Sequence, residues 1–127
     1  MKYVLAQRST DLALEIIRYY KWLVSDKKEY VLSKQLLRSG TSIGANIREA
    51  YYAVSRPDFV NKLQIALKEA AESEYWVYLL EESDYFADDF QKMKTLLDET
   101  KRMLVSTIKT TKQNSIEKKQ NSIENKL

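Results

Sequence analysis

The sequence contains no cysteine. That excludes disulfide staples, thiolate nucleophiles and zinc–thiolate sites, and it fits a reducing cytoplasm. There is no histidine either, which removes the usual general base, the commonest zinc ligand and the Glu-x-x-His motif of di-iron bundles. One proline and two glycines among 127 residues leave few breaks for a turn-rich sheet protein, whereas Leu, Ala, Glu and Lys are plentiful and favour helices. No apolar run approaches the roughly 18 residues of a membrane span. At the N-terminus, Gln7, Arg8 and Asp11 interrupt the apolar stretch of MKYVLAQRSTDLALE, so no signal-peptide pattern is present. These absences predict a soluble cytoplasmic protein. Its length suits one domain able to bury a core without cross-links.

Four segments carry apolar residues at alternating steps of three and four, the spacing of a buried helix stripe. The first, Thr10 to Ser25, has Leu12, Ile16, Tyr19 and Leu23. The second, Tyr30 to Val54, has Leu36, Gly40, Ile43, Ile47, Ala50 and Val54. Phe59, Leu63, Ala66, Ala70, Ser73, Val77 and Leu80 mark the third, Pro57 to Glu82. The fourth, Phe86 to Thr110, has Phe90, Met93, Leu97, Thr100, Leu104 and Ile108. The connecting segments are short and polar, and Ser55-Arg56-Pro57-Asp58 reads as a capping box with proline in the first helical turn. Links of this length force antiparallel neighbours. The expected fold is an all-α, up-down-up-down four-helix bundle over residues 1–111. The polar segment 112–127 repeats QNSIEKK as QNSIENK, and one isoleucine per heptad cannot make a core stripe. It is expected to be disordered or a frayed extension of helix four.

Two helices hold more apolar surface than one core contact uses. Helix one is apolar around most of its circumference between Leu12 and Val24, including Trp22, and Tyr75-Trp76-Val77-Tyr78-Leu79-Leu80 does the same on helix three. Helices of this kind need burial on more than one side, and Tyr and Trp are typical of subunit interfaces. A homo-oligomer is expected, with Trp22, Tyr75 and Trp76 among its contacts.

The stretch QLLRSGTSIGANIREA, Gln35 to Ala50, keeps its helical rhythm through both glycines of the chain. Each costs about 1 kcal/mol against alanine inside a helix, so close approach by a neighbour is the expected reason. Gly40-Thr41-Ser42-Ile43-Gly44 matches the Gly-x-Ser-x-Gly pattern of serine hydrolases, but that chemistry needs a strand-to-helix turn and a histidine base. A phosphate loop needs Gly-Lys-Ser/Thr where this chain has Gly44-Ala45-Asn46. What survives is a small-residue groove at Gly40 and Gly44, with Ala66, Ala70 and Ala71 of helix three as its expected flat partner. Beside it runs a polar stripe of Gln35, Arg38, Ser42, Asn46 and Glu49, read as a structural network. Glu69 and Glu72 share a face of helix three and with Glu49 form a weak candidate for a hard cation. No metal or cofactor is expected.

Charge is strongly segregated. Residues 1–56 carry +5, residues 57–90 carry −7 and residues 91–127 carry +5. An acidic third helix between basic ones favours correct neighbours and leaves basic faces for polyanions. Lys34, Arg38, Arg48 and Arg56 lie near Tyr51 and Tyr52, and Lys94, Lys101, Arg102 and Lys109 line helix four. Cations interleaved with aromatics suit backbone phosphates and unstacked bases.

The residues Ser42-Ile43, Ala45-Asn46-Ile47 and Glu49, with Asp58-Phe59 and LQIALKEAAESE (Leu63 to Glu74), resemble a known family. It is that of the bacterial four-helix-bundle proteins encoded in intervening sequences of the large ribosomal RNA gene, labelled S23 proteins. The likeness covers about Arg8 to Thr110 and extends to the accessory proteins of diversity-generating retroelements. The family's usual glycine after Asn-Ile-x-Glu is Ala50 here. The resemblance implies a cytoplasmic homopentamer without enzymatic activity and, for the retroelement relatives, binding of nucleic acid and a reverse transcriptase.

The resulting expectation is a non-enzymatic homo-oligomer that binds nucleic acid, RNA in preference to DNA, through Lys34, Arg38, Arg48, Arg56, Lys94, Lys101, Arg102 and Lys109. The alternative is a protein-interaction scaffold that recruits a partner enzyme such as a reverse transcriptase. No membrane partner is expected.

Overall fold

The computed structural model describes residues 3–126. Met1 and Lys2, where the N-terminal reading begins, and Leu127, where the polar segment ends, lie outside the described residues. The chain forms helices α1 (Val4–Ser25), α2 (Leu32–Ala50), α3 (Arg56–Glu82) and α4 (Gln91–Lys126), with a single 3-10 turn, Asp88–Phe90, leading into α4. No strand occurs among the described residues. Each helix packs on the next and α4 closes back on α1, which places α1 and α3 on a diagonal.

Cross-helix pairs fix the antiparallel register. Arg8 pairs with Glu99 at 3.0 Å and the Arg18 guanidinium donates to the Asp89 carbonyl at 2.6 Å, setting α1 against α4. The buried hydroxyls of Ser39 and Ser73 meet at 2.8 Å between α2 and α3. Lys94–Glu81 at 2.9 Å and Lys101–Glu74 at 3.0 Å set α3 against α4. The stripes read from the sequence form the core: Leu12, Ile16, Tyr19, Leu23, Leu36, Ile43, Ile47, Leu63, Ala66, Ala70, Val77, Leu80, Phe90, Met93, Leu97, Leu104 and Ile108 are all buried. Burial of each large aliphatic side chain contributes about 1.5–3 kcal/mol. Val54 departs from its expected stripe and is 94% exposed, because α2 ends at Ala50 and Val54 falls in the link. Phe59 is only half-buried and its neighbour Val60 takes the inward position.

Both glycines sit inside α2, and they face α1 rather than the expected alanines of α3. A Cβ added to Gly40 would stand 2.3 Å from Cδ1 of Ile16, and one added to Gly44 would stand 3.3 Å from the Ser9 hydroxyl. Ala66 and Ala70 are buried, but the three atoms nearest each added Cβ belong to Ile16 or Ser9 of α1, and Ala71 is exposed. The small residues thus bring α2 against α1, where Ser9 satisfies its own hydroxyl by donating to the Ala6 carbonyl at 2.9 Å.

No glycine is used where the backbone turns left-handed. Those positions are Lys28 (φ 56°) and Asp84 (φ 65°). After α3 the Tyr85 amide donates to the Leu80 carbonyl at 2.8 Å and the Asp84 amide to Glu81 at 3.2 Å, the two bonds of a Schellman stop. Glu29 starts α2: its carboxylate accepts from the amides of Val31, Leu32 and Ser33 at 3.1, 2.7 and 2.8 Å. These bonds satisfy amides that lack a helical partner. At the start of α3, Ser55 accepts from the Asp58 amide at 3.1 Å, as the capping-box pattern predicts, and Asp58 in return accepts from Val54 at 3.4 Å. The end where α1 stops and α4 starts is closed by Tyr19, Trp22, Phe86 and Phe90, with Tyr19 and Phe90 centroids 4.7 Å apart. The Tyr19 hydroxyl donates to the Tyr85 carbonyl. Burial, then the Glu81 and Glu29 carboxylates, hold this phenol well above its usual range.

Two stability predictions follow from this packing. Gly40→Ala should lower thermal stability, because overpacking of about 1–3 kcal/mol outweighs a helix-propensity gain of about 1 kcal/mol. Adding Ile16→Val, which removes the clashing methyl, should recover most of that loss relative to Ile16→Val alone, and a Gly40→Ala protein more stable than its parent would contradict the contact. Burial raises the Glu29 pKa, but the amides of Ser33, Leu32 and Val31 outweigh it and hold the value below 4.5. A carboxylate with a lowered folded pKa stabilises fully above its unfolded value and loses that contribution as pH falls through the folded one. Denaturant melts of Glu29→Gln should therefore show a deficit at pH 7 that closes as the pH is taken below 4.5.

Candidate nucleic-acid interface

Half of the cations read from the sequence as phosphate contacts are held by carboxylates. Arg38 sits between Glu72 and Glu69 of α3. Lys94 contacts both oxygens of Glu81, Lys101 pairs with Glu74 and Arg102 with Asp98 on its own helix. For the first three the cause is the acidic segment 57–90, which contains α3 and lies between α2 and α4. Each exposed pair contributes about 0–1 kcal/mol to stability, yet together they neutralise this flank. Arg48 donates to the Thr10 hydroxyl at 2.8 Å. Lys34, Arg56 and Lys109 are exposed and make no ion pair among the described residues.

Of the polar stripe on α2, Arg38 reaches across the bundle to Glu69 and Glu72 of α3, whereas Ser42 and Asn46 turn back onto their own helix. Ser42 donates to the Arg38 carbonyl at 2.7 Å and Asn46 to the Ser42 carbonyl at 2.8 Å, both within the same helix. Glu49 is exposed, while Glu69 and Glu72 face Arg38. Of the candidates for subunit contact, Trp22 packs within its own chain, 5.0 Å from Phe90. Trp76 is half-buried and donates to Glu72 at 3.2 Å, whereas Tyr75 is exposed.

Several of the cations without carboxylate partners gather at one end of the bundle, while Lys21, Lys27, Lys28 and Lys34 lie toward the other. The Arg8–Glu99 and Arg18–Asp89 contacts mean that α1 runs out opposite about residue 103 of α4. The Ser39–Ser73 contact likewise makes α2 end before the first turn of α3 is covered. Four helices thus narrow to α3 and α4, and α4 continues as an arm whose side chains from Lys112 to Asn125 are exposed apart from Ser115. Two hollows lie where Arg56 and Pro57 meet this arm. One, of about 440 Å³, is lined by Arg56, Pro57, Ser115, Lys118, Lys119 and Ser122. The other, of about 380 Å³, is lined by Arg56, Pro57, Val60, Lys112, Ser115 and Ile116. Lys112, Lys118 and Lys119 make no ion pair among the described residues.

These three lysines were missed by the sequence reading, which set residues 112–127 apart from the bundle. A signal was present: Thr107, Thr111 and Ser115 continue the inward stripe of α4 at steps of four, with hydroxyls replacing leucines. On a 3.6-residue helix that stripe keeps facing α3 and turns the flanking lysines toward Arg56.

No helix among the described residues is long and apolar enough to cross a membrane. The model of the family described as 23S rRNA-intervening sequence protein matches residues 1–106. Among solved structures, the chain is similar to a crystal structure of a protein of unknown function from the S23 ribosomal protein family of Bacteroides thetaiotaomicron. The two are 50% identical with a TM-score of 0.82, over 86% of this chain and 99% of that one. No curated protein matches. The family match ends before Lys112, so the arm lies beyond it.

Proposed function

The chain belongs to the family of 23S rRNA-intervening sequence proteins, and from that premise we propose that it is a cytoplasmic, non-enzymatic homo-oligomer that binds nucleic acid, RNA in preference to DNA. The carrying observation is the convergence of Arg56, Lys112, Lys118 and Lys119 on adjoining hollows without carboxylate partners. Like charges placed together raise the local potential and concentrate polyanions, and each phosphate neutralised releases counterions. Arg48 and Lys109 extend the same end of the molecule, and Lys34 stands apart at the start of α2.

A non-enzymatic role is supported by the residue inventory. Without histidine or cysteine, catalysis would fall to carboxylates, and Glu69, Glu72, Glu74, Glu81 and Glu99 each face a cation. Self-association is supported by exposed apolar side chains on diagonal helices: Leu14 on α1, Tyr75 and Tyr78 on α3. Two unlike patches on opposite flanks suit head-to-tail contacts, which close into rings, better than a two-fold contact of one patch with itself. Five copies would follow the family resemblance.

Binding to RNA should weaken steeply with salt. Arg56→Ala/Lys118→Ala/Lys119→Ala should cut affinity at least about tenfold and flatten the log K versus log salt slope by about 2, while Arg38→Ala stays near wild type. Absent or salt-independent binding would remove this reading. Capture of a partner protein that persists after nuclease treatment would instead favour the scaffold. Light scattering at micromolar concentration should give several times the protomer mass, and a monomer would defeat the oligomer.

A further inference from the structure

We infer that the notch between the start of α3 and the α4 arm takes a single-stranded polynucleotide, with phosphates on its lysines and a base against its apolar wall; this rests on the nucleic-acid reading above. The hollow beside Lys112 has Pro57, Val60 and Ile116 as its wall, and Arg56 and Lys112 as its cationic edge. It shares Arg56, Pro57 and Ser115 with the hollow that carries Lys118 and Lys119. Charge complementarity selects a polyanion, and the apolar wall selects among polyanions.

A duplex keeps its base faces stacked inside and offers phosphates, sugars and groove edges. Laid across the lysines, it would leave Pro57, Val60 and Ile116 uncovered. A single strand has rotatable bases, and every base has an apolar face that can cover such a wall while its phosphates reach the cations. Tyr52 supplies an aromatic platform next to the same site. It is 87% exposed and only four residues before Arg56, so the two Cα atoms lie within about 14 Å of each other. That span is within reach of neighbouring nucleotides on one strand.

Both side chains are exposed, Ile116 at 58%, so replacing them leaves the core untouched. The full chain is titrated with a labelled oligoadenylate of about 20 nucleotides and with the RNA duplex of equal length, comparing wild type, Tyr52→Ala and Ile116→Ser. The expected result is single-strand affinity at least about tenfold above duplex affinity. Tyr52→Ala should lose about 5- to 30-fold, and Ile116→Ser about threefold, on the single strand, with duplex binding within twofold of wild type. Equal affinity for both forms with silent substitutions overturns the inference and leaves the electrostatic reading standing. Failure to bind either form removes both. Competition by polyglutamate as effective per charge as the oligonucleotide also overturns it, since a carboxylate chain has no base to set against the wall.

Discussion

The contact between Ile16 and the bare backbone at Gly40 is the constraint on which the bundle rests. Cδ1 of Ile16 occupies space that any side chain at position 40 would need, and the Ser9 hydroxyl lies where a Gly44 side chain would press. With α2 held this close to α1, its opposite side presents Ser39 to Ser73 and Arg38 to Glu69 and Glu72. A pair of helices separated by one more methyl would shift that second interface as well, because close-packed interiors transmit displacement. The chain therefore puts its only glycines into a helix and makes its left-handed turns with Lys28 and Asp84. Such turns cost about 1–2 kcal/mol without glycine. Capping by Glu29 and the Schellman stop after α3 offset part of that.

Much of the architecture was legible because helix burial leaves a periodic trace. Every stripe residue on α1 and α4 is buried as the spacing predicts, and α3 departs only at Phe59. Other features leave no such trace. Small residues at Gly40 and Gly44 announce a close neighbour without saying which, and the flat alanines of α3 were the wrong choice. The neutralisation of Arg38, Lys94 and Lys101 depends on partners 13 to 34 residues away, a separation that local spacing cannot resolve. Lys112, Lys118 and Lys119 were hidden for a different reason. A helix whose inward face is Thr and Ser gives no apolar signal, although its period persists.

The charge segregation seen along the sequence thus acts in two ways. In the body of the bundle, acidic α3 pairs with its basic neighbours and cancels them. Past the ends of α1 and α2, α3 offers Asp58 near its cap while α4 carries Lys112, Lys118 and Lys119 against Glu117 and Glu124, so the balance tips locally and a cationic end emerges. Fold and proposed function share one cause, the unequal lengths of antiparallel helices carrying unequal charge.

The arm has a thermodynamic consequence of its own. Past Ile108, α4 buries little, so its helicity leans on propensity rather than on the tertiary packing that supplies most helical stability in proteins. Its last turns belong to the segments that open with the smallest free energy. A ligand held between the arm and Arg56 would bind only the closed, helical form, and by mass action would suppress fraying in proportion to its saturation. Occupancy of the notch and winding of the C-terminal turns become one coupled equilibrium, in which the helix reports on the ligand.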